Sequence, residues 1–445
     1  MVGKEFLDLF QKFRTSAYLS LEDFADRLNL FTVIIFLISC LFISTKQYVF
    51  NSISCYTPVE PSGGTFRDFV SDFCWVHGTI PFRPNEALPT TEAEWNLYDQ
   101  HRRITYYQWV PFMLGLQCIL FYLPHILWQT VCTSRAGGDI FTLIGAATKA
   151  AVDDRNTRIT KVTSVAEFLE DMIEDHRTSR RGPRAQIVNN LYDYCGLCVV
   201  SKRMGTCLVI SYLAIKLLIV VNSALQLYLI QCFLGFSGDR AQPAEKTGKE
   251  TAPTYELRMY TPGYAFGWTI LNYIRTGREW PHTLLFPRVA YCRVPGIRTV
   301  GGDNAYTAQC ALPINMLNEK LYIFLWFWIC FLLTITCGSL LLWLLRIASP
   351  FHRRRFVRRY LRAHKLQTPT ESGPSSLLDE FVDTYLRRDG IFLVRMIAIN
   401  AGHVVASEVV TVLWKNYLHR TEASMPPLPD LSDAKADTII QLDHV

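Results

Sequence analysis

The chain has 445 residues, of which 50% are hydrophobic and 19% are charged, and its formal net charge is +6. The charged fraction lies below the roughly 25% that is usual in soluble proteins. This composition argues against an ordinary soluble protein and makes a membrane protein the first class to test.

Four apolar stretches are each long enough to cross the hydrocarbon layer of a membrane as a helix, in which every backbone polar group finds a partner. We predict spanning helices at residues 30–50, 104–132, 206–234 and 321–347. The segment before the first of them carries Glu22, Asp23, Asp26 and Arg27, which is not typical of a cleavable signal peptide. The first span is therefore expected to act as an anchor.

The distribution of basic residues predicts which segments face the cytoplasm. Arginines crowd the segment after the fourth span, and Lys202 and Arg203 stand close before the third. By the positive-inside rule these segments are cytoplasmic, although Arg102 and Arg103 at the second span run against the rule. The predicted cytoplasmic parts are 1–29, 133–205 and 348–445, and the predicted extracellular loops are 51–103 and 235–320.

The basic cluster after the fourth span has two interpretations. Its members are Arg346, Arg353, Arg354, Arg355, Arg358, Arg359, Arg362 and Lys365. Such a cluster fixes the topology of a membrane protein, and this is the interpretation we favour. The alternative is a binding site for acidic lipids or for calmodulin.

The segment Ile391–Leu418 is almost apolar enough to be a fifth span. It contains four charged or titratable side chains within helical reach of one another, Arg395, His403, Glu408 and Lys415. Each buried charge would cost roughly 2.5–3.5 kcal/mol on membrane insertion. We therefore interpret the segment as a core helix on the cytoplasmic side.

Other cytoplasmic segments also show helical patterns. Ser375 and Ser376 are suited to cap a helix from Leu377 to Arg388, and Gly390 is suited to end it. The segment Asp139–Asp175 has apolar residues at helical spacing. These patterns predict a helical dome in the cytoplasm.

The chain has 13 cysteines, and the predicted topology divides them into two groups. Four lie in the predicted extracellular loops, Cys55, Cys74, Cys292 and Cys310. An oxidising exterior makes them a disulfide framework, but spacing alone leaves open whether each loop closes on itself or the loops are tied together. Cys195 and Cys198 form a lone C-x-x-C without the further ligands of a zinc site, so we predict structural thiols and no metal site.

Short strings rich in aromatic and polar residues stand along the chain in a fixed order. The most specific is YYQWVPF in the second span, with signature residues Tyr107, Gln108, Trp109, Val110, Pro111 and Phe112. The others are DRLN at 26–29, KQYV at 46–49, FPRV at 286–289, LPIN at 312–315, NEK at 318–320, FLWFW at 324–328 and RDG at 388–390. Together these strings resemble the innexins, a family that builds gap junctions in invertebrates.

Two residues depart from the pattern of that family. Tyr56 follows the first outer cysteine, where the family usually has Trp, and Arg293 follows the third, where an acidic residue is common. Both lie in predicted docking loops, so they bear on the choice of partner rather than on the fold.

The resemblance and the composition predict an all-α membrane protein with four transmembrane helices, a cytoplasmic helical dome and disulfide-braced extracellular loops. The resemblance implies the disulfide pairs Cys55–Cys310 and Cys74–Cys292. It also implies a subunit of gap junction channels at the plasma membrane, in rings of roughly eight subunits that dock with a like ring on the neighbouring cell and pass ions and small molecules. Both termini are expected in the cytoplasm. We predict membrane lipids as partners, leave co-assembly with other innexins open, and predict no nucleic acid and no cofactor.

Three other functions compete with this one: an undocked pore, an enzyme and an adhesion protein. An undocked pore that releases small molecules such as ATP is the main alternative, and the absence of an N-x-Ser/Thr acceptor from both outer loops favours docking. An enzyme is not expected, because Lys216 and His125 in the spans have no acidic partner in the sequence pattern. Pure adhesion through the outer loops stays open.

Two further features bear on the pore. Residues 1–13 have an apolar stripe opposite a polar face, and the resemblance implies a helix folded into the pore mouth, with candidates Met1, Val2, Lys4, Glu5 and Asp8. A helix lying on the inner membrane surface is the alternative. Pro111 and Pro124 predict kinks in the second span, for which a static bend and a gating hinge are equally supported.

Overall fold

The computed structural model describes residues 23–50, 53–57, 64–82, 86–135, 140–175, 205–234, 266–277, 286–299, 302–364 and 377–424. The chain divides into two compact units. We call the unit made of Phe24–Gln129 and Ala214–Leu341 the span unit. The unit made of Met1–Asp23, Thr130–Leu213 and Leu342–Val445 is the helical unit.

Helices dominate the described residues. In chain order they are α1 (Phe24–Tyr48), α2 (Gly64–His77), α3 (Glu92–Arg102), α4 (Val110–Arg135), α5 (Ile140–Ala150), α6 (Arg155–Asp175), α7 (Cys207–Phe233), α8 (Phe266–Thr276), α9 (Pro313–Ala348), α10 (Pro350–Ala363), α11 (Leu377–Glu380), α12 (Arg387–Asn400) and α13 (His403–Ser424). A 3-10 turn, Tyr106–Trp109, precedes α4, and a π-helical turn, Phe381–Leu386, joins α11 to α12. The strands are β1 (Ser54–Tyr56), β2 (Val289–Thr299) and β3 (Gly302–Ala311).

Four of these helices are long and apolar enough to cross a membrane, which confirms the predicted helical membrane fold. They are α1, α4 with the preceding 3-10 turn, α7 and α9. Two of them begin earlier than the sequence predicted, α1 at Phe24 rather than residue 30 and α9 at Pro313 rather than residue 321. Asp26 lies in the first turn of α1, where its negative charge complements the helix dipole. The helix can therefore begin among polar residues, before the apolar run.

The core of the span unit is built from the apolar faces of α1, α4, α7, α8 and α9. Phe36 of α1 packs against Phe121 of α4, with ring centroids 5.2 Å apart. Gly267 of α8 lies so close to the Trp326 ring of α9 that a Cβ atom there would come within 2.0 Å of it. A side chain at this position would therefore separate the two helices.

A three-stranded antiparallel sheet, with the strand order β1-β3-β2, is also part of the span unit. The register of β2 and β3 shifts between Val294 and Ile297, where Pro295 and Gly296 stand. Proline lacks the N–H that a regular ladder needs, and it is tolerated at such irregularities. No strands are predicted from the sequence, so this sheet is an addition to the predicted helical fold.

The helical unit is held by a dense aromatic and apolar core. Phe381 packs against Trp414 and Tyr417, with ring centroids 5.0 and 5.3 Å apart. The Tyr385 hydroxyl donates to Glu170 of α6 at 2.7 Å, which is buried at 4% exposure. Glu408 of α13 pairs with Arg158 of α6 at 3.0 Å in this unit.

The segment Asp139–Asp175, whose spacing predicts helical structure, contains α5 and α6, with residues 151–154 between them. One predicted helix boundary in this unit is wrong. The predicted end at Gly390 does not occur, since α12 runs through it to Asn400. Side chains of Ile173 and Leu386 pack within 3.5 Å of where a Cβ of Gly390 would stand, so this glycine serves close packing. The break falls at Gly402, whose φ of +95° suits glycine.

Candidate functional site

The two predicted extracellular loops are joined by covalent bonds. Disulfides link Cys55 to Cys310 and Cys74 to Cys292, which are the pairs that the family resemblance implies. Cys55 and Cys310 stand directly opposite each other in the β1–β3 ladder. The bonds connect residues 255 and 218 positions apart in the sequence, so they fix the first loop to the second.

A small apolar core surrounds these disulfides. Val70 of α2, Ala308 of β3 and Leu312 are buried against the four cysteines. Tyr107 of the YYQWVPF string is fully buried in the same core, and its ring packs on Trp75 of α2 at 4.8 Å. The loops therefore form a folded element with its own interior. We call this element, which contains β1, α2, α3, β2 and β3, the loop domain. The cysteines are evident in the sequence but this core is not, because its residues come from five separate segments.

The YYQWVPF string joins the second span to the loop domain. The Gln108 amide donates to the backbone carbonyls of Trp75 and Val76. Val110 is buried among the spanning helices, whereas Trp109 and Phe112 are 60% and 63% exposed. Most of the string therefore holds this chain together, and two of its seven residues are exposed.

Other signature strings meet at contacts within the span unit. Asn315 of LPIN donates to the Pro287 carbonyl of FPRV at 3.1 Å and accepts from the Tyr106 hydroxyl at 3.4 Å. Asn29 of DRLN donates to the Phe121 carbonyl at 3.0 Å. The residues that carry the family resemblance are thus the residues that hold the helices in place.

The two prolines of the second span lie in different settings. Pro111 is in the first turn of α4, where a missing N–H costs no helical hydrogen bond. Where the sequence predicts a kink, the 3-10 turn ends and the α-helix begins. Pro124 lies inside α4, where it removes a backbone donor. Of the two, Pro124 is the position at which a bend or hinge remains a prediction.

Both departures from the family pattern lie at the surface of the loop domain. Tyr56 is 74% exposed on β1. The Arg293 guanidinium on β2 donates to the Glu92 carboxylate of α3 at 3.1 Å, which adds a further link between the two loops. Arg293 therefore has a structural partner where an acidic residue would repel Glu92.

A buried ion pair lies among the spanning helices. Lys216 of α7 has no exposed surface, and its ammonium lies 2.8 Å from the Asp26 carboxylate of α1 and 3.1 Å from the Ser339 hydroxyl of α9. The expectation that Lys216 has no acidic partner is wrong, because α1 begins before residue 30 and brings Asp26 into the bundle. His125 lies 2.9 Å from the Gln129 amide one turn along α4.

Asp389 of the RDG string caps a helix that is far from it in sequence. Its carboxylate accepts from the backbone N–H groups of Leu208 and Val209, at 3.2 and 3.0 Å, at the start of α7. Burial raises the pKa of Asp389 to about 6, although these N–H donors act to lower it. This side chain is therefore the candidate for titration in the weakly acidic range.

Some predicted site residues lie outside the described residues. They are the pore-mouth candidates Met1, Val2, Lys4, Glu5 and Asp8, and the cysteines Cys195 and Cys198. Their predicted roles stay predictions.

Comparison with known proteins agrees with the geometry. The innexin family model matches residues 22–240 and 259–417. Innexin unc-9 of Caenorhabditis elegans is 30% identical over 408 residues, which cover 91% of this chain and 94% of that protein. Innexin-19 of Caenorhabditis briggsae is 30% identical over 441 residues, which cover 93% and 90% of the two chains. The family model and the relatives both extend over most of the sequence, and the chain therefore belongs to the innexin family.

Proposed function

We propose that this chain forms an oligomeric pore that docks end to end with a like pore on a neighbouring cell. Membership of the innexins makes it a subunit of a gap junction channel family, with several helices able to cross the plasma membrane. The observation that carries the docking proposal is the disulfide-braced sheet, in which both outer loops are fixed to each other. Such bracing presents a rigid surface, and rigid surfaces lose little entropy on association.

A ring of subunits supplies the aqueous path. Among the described residues, four helices are long and apolar enough to cross a membrane, and the core of the span unit is filled with side chains such as Phe36, Phe121 and Tyr322. A water-filled path therefore has to lie between chains rather than within one. The ring of roughly eight subunits implied by the family resemblance provides it, and closed rotational symmetry gives every subunit the same contacts.

The proposed topology has both termini and the helical unit in the cytoplasm. The arginines of α10 follow α9 directly, which is typical of a cytoplasmic flank. An epitope tag after Val445 is expected to be detected only after the plasma membrane is permeabilised. Detection on intact cells would contradict the orientation.

The experiment that tests docking is conductance recording between paired cells. Two cells that both express the chain are expected to couple electrically, and pairs in which only one cell expresses it are expected not to. Single cells should be measured in parallel for ATP release and dye uptake. Pores that open in single cells without coupling in pairs would favour the undocked channel instead.

We further propose that residues 1–13 line the pore mouth. In that position Lys4, Glu5 and Asp8 would form rings of charge, and such rings set ion selectivity. Lys4→Glu is then expected to shift the permeability ratio of anions to cations and the single-channel conductance. On a membrane surface the same change would alter lipid affinity and surface expression, with selectivity unchanged.

A further inference from the structure

The helix α10 begins where the last spanning helix ends. Only Ser349 stands between Ala348, the end of α9, and Pro350, the start of α10. Because α9 is a candidate membrane span, α10 starts within a few residues of the membrane surface. Its sequence, PFHRRRFVRRYLRA, contains six arginines and no acidic residue.

Two of these arginines hold α10 in the helical unit. The Arg353 guanidinium donates to the Ile347 carbonyl at 2.8 Å and to Asp383 at 2.9 Å. Arg354 donates to Asp383 at 2.6 Å and to Asp379 at 2.9 Å. Val357, Tyr360 and Leu361 bury the same side of the helix. This side of α10 is fully explained by the fold.

The other side of α10 carries four more arginines that are exposed, Arg355, Arg358, Arg359 and Arg362. Within the part of the chain that the structure describes, none of these four forms an ion pair. Residues three and four apart on a helix are neighbours, and like charges at that spacing destabilise it. The cluster therefore lowers the stability of α10 unless an anion from outside the described residues neutralises it.

The exposed arginines line a cavity of about 890 Å³. Cavities of roughly 300–1,000 Å³ commonly hold small ligands. Among the described residues of the lining, Asp379 is the one carboxylate, and Arg354 already neutralises it at 2.9 Å. Phe351, 63% exposed, also lines the cavity, and it stands three residues after the end of α9 in the chain. The cavity thus offers arginines for an anion and an apolar ring.

We propose that this cavity binds the phosphorylated headgroup of an anionic phospholipid in the cytoplasmic leaflet. Guanidinium groups bind phosphate oxygens in a bidentate manner. Arg355 and Arg362 are about 10 Å apart along the helix axis, which exceeds the size of one phosphate and favours a headgroup with several, such as an inositol bisphosphate. The assignment to this leaflet rests on the proposed cytoplasmic location of α10.

The test is lipid binding by the purified full-length chain in detergent. The probe is a fluorescent short-chain phosphatidylinositol 4,5-bisphosphate, and the variant is R358Q/R359Q/R362Q. A matched control, K149Q/R155Q/K415Q, removes the same charge from exposed positions on α5, α6 and α13. We expect the first variant to bind at least about tenfold more weakly and the control to bind like the unaltered chain. The single variants R358Q and R362Q should each weaken binding severalfold, which keeps the test decisive if the triple variant misfolds.

Several outcomes would overturn the proposal. Equal losses in both triple variants would indicate attraction by net charge alone. Soluble inositol trisphosphate that binds as tightly as the lipid would indicate a free phosphate ligand, and calcium-dependent capture of calmodulin without lipid binding would indicate a protein partner. Because no conductance is measured, a chain that binds the lipid but does not couple cells would contradict only the channel proposal.

Discussion

The loop domain of the span unit and the helical unit are stabilised by different kinds of interaction. Disulfides at Cys55–Cys310 and Cys74–Cys292 hold the loop domain, around a small apolar core. Among the described residues of the helical unit, large aromatic rings, buried carboxylates and arginines take that role, and no disulfide is found. Disulfides persist in oxidising compartments and are rare in the cytosol. This difference supports the proposed topology, in which the loop domain is extracellular and the helical unit is cytoplasmic.

This difference predicts which agents affect each region. The loop domain depends on bonds that a reductant breaks, whereas the helical unit depends on ionised groups that respond to pH. The comparison would be contradicted if the loop domain responded to pH and the helical unit responded to a reductant.

The largest effect is expected from breaking a disulfide. Cys74→Ser leaves Cys292 unmatched and releases a loop of more than 200 residues, and loss of a native disulfide typically costs about 2–5 kcal/mol. We expect electrical coupling between paired cells to be abolished. The double variant C74S/C292S separates loss of the bond from mispairing of the free thiol. Cys195→Ser is the control and should couple normally, so that loss of coupling there would contradict this account.

The next largest effect is expected at the buried ion pair of the span unit. Lys216→Met removes the ammonium that lies 2.8 Å from Asp26, and breaking a buried pair typically costs about 3–5 kcal/mol. The melting temperature of the purified protein should fall. In the double variant K216M/D26L both charges are gone, and most of the loss should be recovered. Equal melting temperatures for the single and double variants would show that the pair is not coupled.

Sequence predicted the parts of this fold that depend on local pattern. The four spans follow from apolar length, which is read directly along the chain. The sequence does not predict the ion pair, because the apolar pattern begins the first span at residue 30 and leaves Asp26 outside that span. Gly390 and Gly402 are equally good candidates for a helix end by residue type, and only packing against Ile173 and Leu386 separates them.

The pairing of β1 with β3 is not predicted by local pattern, because these two strands are remote in sequence. Strand β1 has three residues, and its partner lies more than 250 residues away. No local alternation marks so short a strand. The disulfide pairs came from family resemblance, because four cysteines allow three pairings and spacing does not choose among them.

A smaller effect is expected from the titration of Asp389. Its pKa in the folded protein is about 6, against an ordinary value of 3.8, because burial outweighs the N–H donors from Val209, Leu208 and Cys207. The folded state then binds the proton more tightly than the unfolded state. The free energy of unfolding therefore falls as pH rises from about 4 to 6, by at most about 3 kcal/mol.

The measurement compares melting temperatures of the unaltered protein and Asp389→Asn across this pH range. The unaltered protein should lose more stability between pH 4 and 6 than the variant does. Asp383 should contribute a dependence of stability on pH that has the opposite sign. Burial acts to raise its pKa, but hydrogen bonds from Arg354 and Arg353 lower it, so its contribution is lost as pH falls. Asp383→Asn should therefore make the protein less sensitive to acid below about pH 4, so its profile is extended to lower pH. Asp389→Asn that parallels the unaltered protein between pH 4 and 6 would contradict the first assignment, and Asp383→Asn that parallels it below about pH 4 would contradict the second.

The smallest effect on stability is expected at the pair between Arg293 and Glu92. Glu92 is exposed, and exposed ion pairs contribute about 0–1 kcal/mol. Arg293→Gln should therefore leave the melting temperature nearly unchanged. In the proposed docked channel, however, this surface faces a second ring, and charge at such a surface governs the choice of partner more than affinity. Arg293→Glu places an acid beside Glu92, and we expect altered coupling to cells that express other innexins while coupling between like cells persists. The charge swap R293E/E92R restores the contact within the chain but not the charge pattern on β2. If the swap restores the original partner preference, the role of Arg293 is to position the loops; if the preference stays altered, the arginine itself is read by the opposing ring.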